Sequence, residues 1–326
     1  ADTSDAAQRP LHRLMRDHLL KDPMKGVDAK TLADQLGISM TALHHHLKGL
    51  QAIRLVASKS GENGWMKHHL RCGSLSAAVD LLHREAGGIL AIRLSPLERW
   101  QTGSVDRDSG EETEEIPLKL VICEPRPLVN NEDEIDAFLN DFALRGERSR
   151  QTSGDDLTRQ VFESLLSANH AISLDEAVAQ WGATRPRLTR TFDRFRAAGL
   201  VERVLRHDRL TVILWDALST QYSRRGEKWL LGKGGLGRLD EKVSKQVVKS
   251  LREGKFDSDR CAELFSKTSE DELRLALNLL GGRLPYGYRL SGNSGDDVAR
   301  QVCLRFEAIF SRLKRIASAL DELQAN

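Results

Sequence analysis

The chain has 326 residues, of which 40% are hydrophobic and 29% charged, with a formal net charge of +2. That length allows two or three domains with cores of their own, and the composition is that of a globular protein, not of a fibrous or disordered one. No apolar run is long enough to span a bilayer, and the acidic start Ala1-Asp2-Thr3-Ser4-Asp5 is unlike a secretory signal, so a cytoplasmic location is expected.

In chain order, the first strong pattern covers 27–56. After Asp28 the spacing predicts a helix over 29–36, a turn at Gly37-Ile38 and a second helix opened by Ser39 as N-cap. Leu43, Leu47 and Leu50 form its buried face, which leaves Met40, Thr41, His44, His45 and Lys48 for a partner. Two strands should follow: 55–57, a polar tip running from Lys59 to Gly64, then 65–70.

Residues 89–94 and 116–123 read as a strand pair around an acidic loop at 102–115, and 130–144 as a helix with Ile135, Phe138, Leu139 and Phe142 on one face. Together 85–150 is expected to be a small α/β connector that positions its neighbours or binds an effector.

The pattern of 27–56 then returns, without a gap, at 172–201. Ser173 precedes a helix over 174–181, Gly182-Ala183 make the turn, and Thr184 stands at the N-cap of a helix with Pro186 in its first turn. Leu188, Phe192 and Phe195 are its apolar face; Arg185, Arg187, Thr189, Arg190 and Arg194 lie opposite. A second hairpin is expected from strands 200–205 and 210–215, with a tip at His207-Asp208 surrounded by Arg203, Arg206 and Arg209. From Gly182 to Arg238 the chain carries 13 Lys and Arg against five Asp and Glu, a net of +8, whereas from Glu98 to Glu147 five bases face 14 acids, a net of −9. Such segregation predicts a molecule with one cationic side.

Beyond it, Gly232-Lys233-Gly234-Gly235-Leu236-Gly237 lacks the Ser or Thr that a phosphate-binding loop needs after its Lys, and reads as a flexible hinge. Three short helices are predicted at about 239–253, 257–267 and 269–281. In the last helix, about 296–323, Ala299, Val302, Phe306, Ile309, Leu313, Ile316, Leu320 and Leu323 follow one heptad seam. The seam can pack within its own chain or pair two chains; the expected dimerisation residues are Val302, Phe306, Ile309, Leu313, Ile316 and Leu320.

The two helix, glycine turn, helix, strand units at about 8–84 and 152–218 resemble the winged helix-turn-helix superfamily, in particular the ArsR and MarR type of bacterial regulator. The resemblance implies double-stranded DNA as partner, bound through Ser39, Met40, Thr41, His44, His45, Lys48 and Lys59 in one copy. In the other copy it implies Thr184, Arg185, Arg187, Thr189, Arg190, Arg194, Arg203, Arg206 and Arg209. An outward arginine-rich helix suits phosphates and guanine edges in the major groove. Winged helices also serve as protein-docking modules, and a charged helix face is often only solvated surface.

Cys72, Cys123, Cys261 and Cys303 form no CxxC pair and read as small core residues. Eight of the ten histidines precede residue 84, among them His44-His45-His46 and His68-His69, but neither an i, i+4 pair on the second helix nor the thiolate pair of metal-sensing ArsR proteins is present. No metal or cofactor is expected, and with no nucleophile, base and acid arrangement no catalytic residue is assigned.

The expected fold is therefore mainly α with small β-hairpin wings: winged-helix domains at 1–84 and 151–232, the acidic connector at 85–150, and a C-terminal helical assembly domain at 233–326. The leading expectation is a sequence-specific DNA-binding protein, a prokaryotic transcriptional regulator acting as a homodimer. The alternatives are a plasmid or phage replication initiator on repeated sites, or a winged-helix subunit for protein interaction or chromosome organisation.

Overall fold

In a computed structural model of the chain, which describes residues 9–61, 64–105, 107, 116–121, 127–128, 132–145 and 156–325, Asp28 and Ser173 each end a two-residue strand and cap a helix. Asp28 accepts from the Thr31 amide at 2.9 Å, and Ser173 forms a reciprocal capping box with Glu176. Both helices end on a glycine in the left-handed region, Gly37 (φ 68°) and Gly182 (φ 60°), which turns the chain into the next helix. The chain divides into two units, Ala1–Pro96 with Val121–Glu132 and Ala299–Asn326, and Leu97–Leu120 with Asp133–Val298.

The first unit opens with helix α1, Pro10–Arg13 continued by a π-helical stretch, Leu14–Leu19. It is followed by β1 (Val27–Asp28), α2 (Ala29–Leu36), α3 (Met40–Ala52), β2 (Val56–Ser60) and β3 (Met66–Leu70). The expected hairpin is present: β2 and β3 pair antiparallel from Val56 opposite Leu70 to Ser60 opposite Met66, and β1 joins the far side of β3, giving the order β1-β3-β2. Glu62 and Asn63 of its tip lie outside the described residues. Leu14, Leu32, Leu36, Leu43, Leu47 and Val56 form the core.

Helix α4 (Leu75–Leu94) follows, so the strand expected at 89–94 is the end of a helix. Its buried residues Leu75, Ala78, Val79, Leu90 and Leu94 keep helical spacing, which a short apolar run viewed alone does not reveal. The second strand of that expected pair is not found either: 116–121 carry no strand, and Cys123 lies outside the described residues. The long C-terminal helix, Gly295–Ala325, packs antiparallel to α4 within this unit from Ala299 onward. Asp321 caps α4 by accepting from the amides of Leu75 and Ser76, Lys314 pairs with Asp80 at 2.7 Å, and His83 stacks on Phe306 and Phe310.

The second unit contains α5 (Leu97–Trp100), α6 (Glu134–Asp141), α7 (Leu157–Ser167), β4 (Ile172–Ser173), α8 (Leu174–Trp181), α9 (Arg185–Ala197) and β5 (Val201–Leu205). The expected hairpin fails here. Residues 210–215 belong to helix α10 (His207–Leu231), with Leu210, Leu214 and Leu218 buried at intervals of four. The partner of β5 is instead β6 (Tyr286–Leu290), paired from Val201 opposite Leu290 to Leu205 opposite Tyr286. β4 joins the other side of β6, so the order β4-β6-β5 repeats that of the first unit.

Between β5 and β6 lies a helical insertion: α10, α11 (Glu241–Arg252), α12 (Ser258–Phe265) and α13 (Glu270–Leu279), the last three close to their predicted bounds. Leu214, Leu230, Leu236, Val247, Phe265 and Ala276 are part of its core. The stretch 232–237 is a packed turn, not the expected hinge. Gly235 holds φ 78°, and a Cβ there would meet the Leu279 side chain at 2.3 Å. The C-terminal helix closes the order as α14.

Arg206 roots the insertion. Expected at an exposed tip, it is 7% exposed and donates to Glu176 at 3.0 Å, to Asp208 at 2.6 Å and to the Ala171 carbonyl. Its neighbours accept several of its protons, so it is a structural cation and not a ligand-facing one. Arg206→Ala is expected to lower stability by about 3–5 kcal/mol in urea unfolding, whereas Arg209→Ala, at an exposed position, stays within about 0.5 kcal/mol of the parent. Equal urea midpoints for Arg206→Ala and the parent would refute this.

Candidate nucleic-acid interface

Helix α9 is held by its apolar face. Phe192 stacks on Tyr288 of β6 with ring centroids 4.1 Å apart, Phe195 stacks on Phe162 of α7 at 5.5 Å, and Leu188 is fully buried. That anchoring points the opposite face outward, where Arg185, Arg187, Arg190 and Arg194 are exposed. Arg185 pairs with Asp175 at 2.5 Å, but both side chains are more than half exposed, so the pair is weak and easily released. Arg190 donates through Nε to the Pro186 carbonyl and Arg194 to the Leu144 carbonyl, contacts that orient each guanidinium while leaving its charge uncancelled. Thr189 donates to the Arg185 carbonyl and is half-buried. Thr184 holds the N-cap position without a side-chain cap bond, contrary to expectation.

Three acids of the connector, Asp133, Glu134 and Asp136, are engaged elsewhere. Arg159 reaches Asp133 and Asp136 at 3.1 and 2.9 Å, Arg145 pairs with Asp136, and Arg99 pairs with Glu134.

In the first unit α3 is held by Leu43, Leu47 and Leu50, and Thr41, His44, His45 and Lys48 are exposed opposite them. Ser39 caps the helix by accepting from the Ala42 amide. Met40 is a correction: it is half-buried against the unit's core. Lys59 is exposed on the hairpin, together with Lys67, Met66 and Trp65, the last three not expected at the site.

Of the basic residues expected around the second tip, Arg203 lies on β5 with its guanidinium 3.9 Å above the Tyr286 ring, and Arg209 is exposed in the first turn of α10. Tyr286 was also missed, although the alternating Tyr-Gly-Tyr-Arg-Leu of 286–290 is a strand signal.

The heptad seam is divided. Val302 and Phe306 are buried in their own chain, so they are not available to a second one. Ile309, Leu313, Ile316 and Leu320 remain 40, 41, 48 and 38% exposed.

Cys261 is buried, and burial pushes its thiol up to about 12; Cys72 is exposed, not a core residue. Among the described residues no group of three His, Cys, Asp or Glu is placed to hold a metal ion, and no helix is long and apolar enough to cross a membrane. The chain matches no family model and no curated protein.

The histidines of the first unit differ in environment. His68, on β3, is 5% exposed. Gln51 donates to the Ser58 hydroxyl, which shares a 2.8 Å hydrogen bond with Nδ1 of His68, and Nε2 of the same ring is a buried atom with no hydrogen-bond partner among the described residues. Burial, then the nearby His44 and His69, pull its pKa below the ordinary value of 6.5. Between the lowered value and 6.5 the unfolded chain binds the proton and the folded chain does not, so this contribution is complete above about pH 6.5 and is lost on acidification. The urea midpoint should therefore fall between pH 7.5 and 5.5, and His68→Gln should flatten the fall; an equal slope in parent and variant would refute the assignment.

Proposed function

We propose that the chain is a sequence-specific double-stranded DNA-binding protein, a prokaryotic transcriptional regulator, that reads its site with two winged helices. The first unit runs helix, strand, helix, helix, strand, strand with the first strand beside the third, and the second repeats that strand order with four helices inserted between its last two strands, an arrangement that supports the winged-helix reading. The observation that carries the function is the outward face of α9, where Arg185, Arg187, Arg190 and Arg194 stand exposed on a helix fastened from behind by Phe192 and Phe195. The major groove of DNA admits one helix, and guanidinium forks match guanine edges and phosphates. Helix α3 is the second reader, through Thr41, His44, His45 and Lys48, with the Lys59 and Lys67 hairpin as its wing.

Arg187→Ala and Arg190→Ala should each weaken binding by about 1–3 kcal/mol where the side chain reads a base. The measurement is an anisotropy titration on duplexes selected from a random library, at stated salt. No salt-dependent affinity of the parent chain for duplex DNA, or unchanged binding by the variant lacking all four arginines, would remove the reading and favour a protein-docking role.

The second partner in this proposal is another copy of the chain, seated on the exposed stretch Ile309, Leu313, Ile316 and Leu320 of α14. These four follow one another at intervals of three and four residues, the spacing of a seam that pairs two helices. Two copies would present paired readers, and the second contact becomes intramolecular. Leu313→Glu with Ile316→Glu should convert a dimer into a monomer in sedimentation equilibrium with helicity retained; a parent chain that sediments as a monomer at tens of micromolar would refute the pairing.

A further inference from the structure

We infer that the helical insertion is a second gripping wall, and that the groove between it and the second winged helix takes a stretch of DNA phosphodiester backbone held by Arg209, Arg224 and Arg283. The inference rests on the DNA-binding reading and extends it from the recognition helix to a part of the fold that reading does not use.

The groove has a volume of about 1140 Å³. One wall is the amino-terminal end of α8, Arg185 at the start of α9, and the paired Arg203 and Tyr286 of the sheet; the other is α10 and the turn leading from α13 into β6. Arg209 and Arg224 stand on α10, and Arg283 stands in that turn. All three are exposed, and among the described residues none of them is hydrogen-bonded to a carboxylate.

The charge in the groove is unbalanced. Of the three lining acids, Asp175 is paired with Arg185, and Glu176 is occupied by Arg206 and the Ser173 amide. Among the described lining residues only Asp216 is left to face Arg209, Arg224 and Arg283. A polyanion laid along the groove gives each of these exposed cations a counter-charge that the chain itself does not supply.

Dimensions select the occupant. Arg209 and Arg224 are fifteen residues apart in one helix, about 22 Å along its axis. A single phosphate or a nucleotide cannot bridge that distance, and the groove exceeds the roughly 300–1,000 Å³ of small-ligand sites. A nucleic-acid strand, with a phosphate about every 3.4 Å along the duplex axis, meets all three arginines at once. Position agrees with this: Arg185 belongs both to the rim of the groove and to the outward face of α9. A backbone leaving the recognition helix therefore runs directly into the groove.

The test uses the full chain with Arg209, Arg224 and Arg283 changed together to alanine, and the same three changed to lysine. Both are titrated from 50 to 200 mM salt on the duplex selected by the parent chain and on a scrambled duplex. With about 0.9 counterion released per phosphate, loss of three contacts lowers the salt slope by about 2.7, so the fourfold rise in salt costs the alanine variant about 40-fold less affinity than the parent. The drop should be equal on both duplexes, and the lysine variant should keep the parental slope. Circular dichroism on each variant shows that the fold is retained.

An unchanged slope in the alanine variant, with parental binding still weakened by Arg187→Ala and Arg190→Ala, would overturn the groove and leave the DNA reading intact. A loss confined to the selected duplex would overturn it as well, because it would mean base contact and not backbone contact. A parent chain with no salt-dependent affinity would overturn both.

Discussion

The one-sided burial of the second helix in each unit is the constraint on which the other features rest. Leu188, Phe192 and Phe195 fix α9 as Leu43, Leu47 and Leu50 fix α3. Each such side chain contributes about 1.5–3 kcal/mol on burial, so the rotation of the helix about its axis is set by its apolar face alone. The outward face is then free to carry residues that do nothing for folding. Arg187, Arg190 and Arg194, three and four residues apart, repel one another by a few tenths of a kcal/mol per pair. That cost is small beside the burial behind it, and a folded unit can hold it in reserve for an anion.

The same tolerance explains the insertion. The tip of a two-stranded hairpin is a solvent-facing site where added chain disturbs little, and the entropy of closing a longer loop grows only logarithmically. β5 and β6 keep full register across five residue pairs although four helices intervene. What the insertion requires is a fixed root, supplied by the buried Arg206 with Glu176 and Asp208, and a core of its own, supplied by Leu214, Phe265 and their neighbours. A residue that looks like a surface cation in sequence has thus become the pin between two substructures.

The C-terminal helix shows a comparable division of labour. Its first heptads are consumed by the unit it closes, through Val302, Phe306 and Phe310, while Asp321 caps α4 and Lys314 ties down Asp80. The later apolar positions do not face α4, because an antiparallel pair of helices buries one stripe of each and Ile309, Leu313 and Ile316 lie on another.

Local chemistry was legible in the amino-acid sequence wherever short-range rules decide. The glycine turns at Gly37 and Gly182, the cap at Ser39, the apolar faces of α3 and α9 and the three helices of 241–279 all follow from spacing and capping, whereas the cap expected at Thr184 makes no side-chain bond. Strand pairing was legible only where the partner is adjacent, as in β2 with β3. The strand that completes the second sheet stands beyond four helices, and nothing local in 201–205 points to 286–290. Residues 89–94 and 210–215 read locally as strands because a short apolar run has no period of its own until the rest of its helix is counted. Which cations face outward was likewise settled by tertiary structure: Arg190 and Arg206 are the same residue type in the same basic stretch, and only packing made one a surface charge and the other a buried pin. Periodicity is a property of the nearest few residues, whereas burial depends on which distant segment arrives to cover them.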